Sequence, residues 1–125
     1  MTLFIYHRQN TLKKISKIEK KNVDGLEIDL RSSGKKIIIS HDPFKKELNF
    51  SKNINFFKNF FLKVDIKSTG IAKKVSALLK RKKIKFLLLN LISSEFVELA
   101  TTKVSKNIFL RFSYFEKHNL KNKYF

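Results

Sequence analysis

Residues 25–30 read Gly25-Leu26-Glu27-Ile28-Asp29-Leu30. Side chains alternate across a strand, so Leu26, Ile28 and Leu30 share one face while Glu27 and Asp29 share the other. Residues 62–67 repeat the device, with Leu62, Val64 and Ile66 on one face and Lys63, Asp65 and Lys67 on the other. Each stretch predicts a strand with an apolar face for other elements to cover and a charged face turned elsewhere. The chain holds ten acids, and Glu27, Asp29 and Asp65 stand inside these apolar strands, where acids are scarce. Two carboxylates ~5 Å apart repel by ~3 kcal/mol at an effective dielectric near ~20, so three gathered at one rim call for a cation or for protons. An all-oxygen ligand set suits one divalent cation, Mg²⁺ or Ca²⁺, rather than zinc. Taken singly, each strand reads better as an edge strand with a solvated polar face.

Working outward, residues 3–6 form a short apolar strand. Residues 11–21 form an amphipathic helix with Leu12, Ile15 and Ile18 on one side, capped by Asn10 or Thr11. Residues 36–40 read as another strand. Their link to the 25–30 strand, 31–35 with Ser33-Gly34 at its centre, is too short for a parallel crossover of about a dozen residues, so they fold back as a hairpin arm. Residues 43–61 are irregular, with a short helix near 55–61, and offer a candidate lid or substrate loop. Ser68 or Thr69 caps a helix running to about residue 82 with a stripe of Ile71, Val75, Leu78 and Leu79. A strand at 85–90, a helix at 93–103 carrying Phe96, Val97 and Ala100, and a strand at 108–112 complete the order. Strands alternating with helices predict a parallel α/β architecture.

The chain has 125 residues, enough for one domain, and 42% are hydrophobic with thirteen Phe, which argues against disorder throughout. No cysteine is present, so disulfides and thiolate metal sites are excluded. No signal-peptide pattern or membrane-length apolar stretch is visible, and a cytoplasmic protein is expected. The net charge of +18 invites a nucleic-acid-binding module as an alternative function. Four Arg against a large Lys excess weaken that idea, because base reading and bidentate phosphate grip favour Arg. The surplus still draws phosphorylated substrates towards the surface.

His7 closes the first strand and is followed by Arg8, while His41 follows the hairpin arm and precedes Asp42-Pro43. Both fall at strand ends, beside the carboxylates in the expected topology. Cutting a phosphodiester requires one proton removed and one delivered, work that two imidazoles suit near neutral pH. His118 reads as a surface residue of the tail.

His7-Arg8, then Asn10-Thr11 opening a helix, Gly25, Glu27-x-Asp29, a short Gly turn, His41-Asp42 and Asp65-x-Lys67 resemble the signature of the glycerophosphodiester phosphodiesterase family in its usual order. Phosphatidylinositol-specific phospholipases C and spider-type sphingomyelinases share related arrangements. The resemblance implies an α/β fold, a TIM (β/α) barrel, with Glu27, Asp29 and Asp65 holding one Mg²⁺ or Ca²⁺. It implies His7 and His41 as general acid and base, and Arg8 and Lys67 on the phosphate oxygens; Arg111 would be a further phosphate contact. It implies hydrolysis of glycerophosphodiesters to a glycerol phosphate and an alcohol, by way of a cyclic phosphate. Two positions depart from the family: Gln9 stands where Gly is usual, and Asn90-Leu91 stand where Ser-Phe is usual. A full barrel takes ~250 residues, and only about five of eight strands are found. The expectation is therefore a single family-like domain over 1–125, truncated at its C-terminal end, either active or a non-catalytic fragment that self-associates through open sheet edges.

Overall fold

The computed structural model describes residues 3–7, 9–18, 23–43 and 48–109. They build a mixed six-stranded sheet from β1 (Ile5–Tyr6), β2 (Gly25–Ser33), β3 (Lys36–Ile39), β4 (Leu48–Asn49), β5 (Phe61–Ile66) and β6 (Phe86–Leu89). The order is β4-β3-β2-β5-β6, with β1 paired to β2 off that path. β1, β2, β5 and β6 pair in parallel, whereas β3 runs antiparallel to both β2 and β4. Three short helices accompany the sheet: α1 (Leu12–Ser16), α2 (Ala72–Arg81) and α3 (Ser93–Ala100).

This α+β arrangement corrects the expected α/β barrel of TIM type, since the described residues show no alternating β/α barrel pattern. The reason lies in the short links. Gly34 takes a positive φ of 58° in the turn after β2, and the chain reverses at once into β3. β4 then adds a second antiparallel partner, so one side of the sheet is built by reversal rather than by crossover helices.

Leu26, Ile28, Leu30, Leu62, Val64, Ile66, Phe86 and Leu88 line one face of the sheet and form a single core with Ile37 and Ile39. Ile15 of α1, Ala72, Val75 and Leu79 of α2, and Leu99 of α3 cover it. Phe50, Ile54 and Phe57 close it from the segment after β4, with the Phe50 and Phe57 rings 5.7 Å apart and tilted by 48°. That segment includes a 3-10 turn, Ile54–Phe57, and its buried side chains anchor it in the core, unlike the candidate lid or substrate loop expected over 43–61, of which 44–47 lie outside the described residues. At Gly25 a Cβ would collide with the Phe61 carbonyl, so only glycine lets β2 and β5 start this close together.

Two helix expectations are revised. In α3 the buried positions are Glu95 and Leu99, while Val97 and Ala100 face solvent. The amino end of α2 is capped from outside: Glu95 Oε1 accepts from the Gly70 and Ala72 amides at 2.7 and 3.4 Å. Neither expected cap, Ser68 or Thr69, makes a side-chain capping bond, and Ser68 instead accepts from the Ser32 amide at 3.1 Å. No helix among the described residues is long and apolar enough to cross a membrane.

Candidate metal centre

One edge of β2 is shared between two partners. β1 pairs with it at Gly25 and Leu26, and β3 takes over from Leu30 to Ser33. Between them Gln9 lies alongside, its amide donating to the Glu27 carbonyl at 2.7 Å. At Asp29 a side chain replaces a strand: Asn10 Oδ1 accepts from the Asp29 amide at 2.9 Å, and Asn10 Nδ2 donates to Asp29 Oδ2 at 2.7 Å. The Asp29 carbonyl accepts from the Ser40 amide at 3.0 Å, where β3 arrives. Thr11, one residue on, caps α1 by accepting from the Lys14 amide. Of the two candidate caps, Thr11 takes that role and Asn10 serves Asp29 instead.

On the opposite edge, β5 lies parallel to β2 with Glu27 beside Lys63 and Asp29 beside Asp65. The first pairing is complementary, whereas the second sets like charges side by side, which destabilises a sheet unless something offsets it. All three acids are buried, and one oxygen of each lies within 4.8 Å of one oxygen of the others. Lys67 Nζ bridges the aspartates, 2.9 Å from Asp65 Oδ2 and 3.9 Å from Asp29 Oδ1. Lys63 Nζ stands 3.2 Å from Glu27 Oε2, and His7 Nδ1 pairs with Glu27 Oε1 at 2.8 Å. Asn90 Nδ2 donates to Asp65 Oδ1 at 2.6 Å. Three carboxylates thus meet two ammonium groups and one imidazole. The donor set is oxygen only and carboxylate only, which fits a hard divalent cation such as Mg²⁺ or Ca²⁺.

The residues singled out from sequence separate into three groups. Glu27, Asp29, Asp65, His7 and Lys67 come together. His41 does not join them: its ring Nδ1 lies 2.9 Å from Asp42 Oδ1, and its carbonyl accepts from Arg31 Nη2 and Nε at 2.7 and 3.1 Å. Arg8, Arg111 and His118 lie outside the described residues. Of the strand expected at 108–112, Ile108 pairs in parallel with Leu88 and the Phe109 amide donates to the Leu88 carbonyl at 2.8 Å. Residues 110–112 are outside the described set.

Sequence reasoning missed Asn10 and Asn90 as partners of the carboxylates. Asn90 had a visible signal, since it is a polar residue directly after an apolar strand. A concavity of about 510 Å³ lies at the opposite ends of β5 and β6, lined by Phe61, Phe86, Leu87 and several lysines. It contains neither a carboxylate nor an imidazole, and its charged groups are lysines alone. Comparison of the sequence with known protein families and with curated proteins finds no match.

Proposed function

We propose that the chain is a divalent-cation-dependent phosphodiester hydrolase that releases a glycerol phosphate and an alcohol from glycerophosphodiesters. The observation that carries this reading is the convergence of buried Glu27, Asp29 and Asp65, with an imidazole and an ammonium group attached to the same cluster. The order of motifs, which resembles that of the glycerophosphodiester phosphodiesterases, supports the substrate class. It does so through the site and not the fold, because function follows the chemistry of a site. A bound divalent cation would supply Lewis-acid polarisation of a phosphoryl oxygen.

The chain's own groups do the rest. Glu27 holds His7 through Nδ1, which leaves Nε2 to take or give a proton at a substrate oxygen. Lys67, one quarter exposed, turns its ammonium from the aspartates towards a phosphate oxygen and offsets charge there. The resemblance also implies His41 as a second proton-transfer group; its ring stands against Asp42 rather than against the cluster, so a substrate would have to reach from one to the other. The test is release of glycerol phosphate from glycerophosphocholine with Mg²⁺ or Ca²⁺. Cation-dependent release that falls to background in Glu27→Gln is expected; full activity in that variant removes the metal assignment.

Lys63 and Lys67 favour a second reading. Their ammonium groups already offset much of the cluster's charge, as a structural ion network in a non-catalytic protein would require. That reading predicts no turnover and no change in melting temperature on adding MgCl₂.

A further inference from the structure

The concavity at the start of β5 and β6 stands apart from the carboxylates. Phe61, on its wall, precedes Asp65 on β5 by four residues, about 13 Å along a strand. Phe61, Ile84 and Leu87 give it an apolar lining, and Lys80, Lys83, Lys85 and Lys106 give it its charge. The four lysines are exposed, and no carboxylate among the described residues stands within ion-pair distance of any of them.

Three separate elements bring these lysines together. Lys80 lies in the last turn of α2. The chain then leaves the helix by a tight reversal, in which the Lys83 amide donates to the Lys80 carbonyl and the Ile84 amide to the Leu79 carbonyl, both at 3.0 Å. Lys85 follows, and its carbonyl accepts from the Leu62 amide at 2.9 Å. Lys106 comes from a 3-10 turn, Lys103–Asn107, which Asn107 fastens to β6 by donating from Nδ2 to the Phe86 carbonyl at 2.9 Å.

Lys83 has a φ of 57°, at the position after a helix where glycine is favoured because it has no Cβ. A lysine there offsets the helix dipole, but at an exposed site that gain is smaller than the backbone cost. Local stability therefore does not account for Lys83, whereas its place on the concavity does. Gathered ammonium groups repel one another, and an anion offsets that repulsion. Several of them suit a phosphate monoester, which carries about two negative charges at neutral pH, better than a single carboxylate. The volume of about 510 Å³ lies in the range of small-molecule sites and exceeds what inorganic phosphate fills.

We propose that this concavity binds an organic phosphate with an apolar body, its phosphate held by Lys83 and the neighbouring lysines and its body laid against Phe61 and Leu87. The site is independent of the carboxylate centre. A free small molecule and a lipid headgroup share this chemistry, and the enclosed size favours the first.

Titration calorimetry of the full chain with phenyl phosphate tests this, with EDTA present so that the carboxylate centre takes no part. Saturable binding is expected, tighter than that of inorganic phosphate. Lys83→Gly has two effects of opposite sign. The melting temperature rises by a few degrees as the backbone relaxes, while affinity falls by about fivefold, the scale of one exposed charge contact. Lys74→Gln removes an exposed charge of α2 outside the concavity and leaves affinity unchanged. Equal losses in the two variants reduce the effect to general attraction by a chain of net charge +18 and overturn the site. Inorganic phosphate bound as tightly as phenyl phosphate overturns the apolar contact, and no binding of either overturns the whole proposal. Binding confined to vesicles carrying phosphatidic acid overturns the choice of a free small molecule.

Discussion

Strands β5 and β6 lie side by side, parallel and in register, yet their faces away from the core differ. On β5 that face carries Lys63 and Asp65; the β6 residues beside them are Leu87 and Leu89. Asp65 is 4% exposed and Leu89 2%, so neighbouring positions are equally dry and hold opposite kinds of side chain. Burial therefore does not select residue type on this face; partners do. Asp65 is tolerated because Lys67 and Asn90 each engage one of its oxygens, and an unpartnered charge at the same depth is strongly disfavoured. β6 marks the border of the charged centre, which β2 and β5 assemble between them.

Carrying the charged pattern across that border has the largest expected effect. Leu89→Asp places a carboxylate beside Asp65 with no cation assigned to it and lowers stability by about 4 kcal/mol. Leu87→Asp, half-buried and next to Lys63, costs less than half as much. Urea unfolding midpoints decide this; equal losses at the two positions refute the dependence on partners. Removing a partner comes next. Lys67→Met leaves Asp29 and Asp65 facing each other and costs about 3 kcal/mol, as for other broken buried ion pairs. If the centre takes a cation, saturating MgCl₂ recovers part of that loss through binding to the folded state alone, and the same melting curves with and without the salt show it. The smallest effect belongs to an acid outside the centre. Glu95→Ala removes the cap of α2 and costs about 1 kcal/mol, with Mg²⁺ titration unaltered. A change in Mg²⁺ affinity in that variant contradicts the division between site acids and structural acids.

The sequence made local facts readable where two residues a short distance apart decide the outcome. Alternation in 25–30 and 62–67 placed Glu27, Asp29 and Asp65 on one side of two strands, and the structure puts them on adjacent strands of one sheet. The five-residue link with Gly34 required a reversal, which β3 confirms. Distant pairings were not readable. Nothing near Ser68 indicates that Glu95 caps α2 from another helix, or that Ser68 serves the Ser32 amide. The aromatic segment around Phe50 and Phe57 looked irregular because its side chains fill a core built by residues far away in sequence. The sheet as a whole was misread for the same reason: alternation reports pairs of elements and says little about how a sheet continues, and β4 changed the answer with two residues.

The shared edge of β2 has a consequence for His7, the proposed proton-transfer group. β1 offers only two residues to the sheet, joined by a reciprocal clasp in which the Phe4 amide donates to Asp24 Oδ2 and the Asp24 amide to the Phe4 carbonyl. Beyond it, Gln9 and Asn10 are the last fasteners before α1. Segments with so few bonds unzip locally at a fraction of the free energy that unfolds the whole domain. The imidazole of His7 is therefore mounted on a segment held to the sheet by few bonds among the described residues, while Glu27, Asp29 and Asp65 stand on its paired central strands.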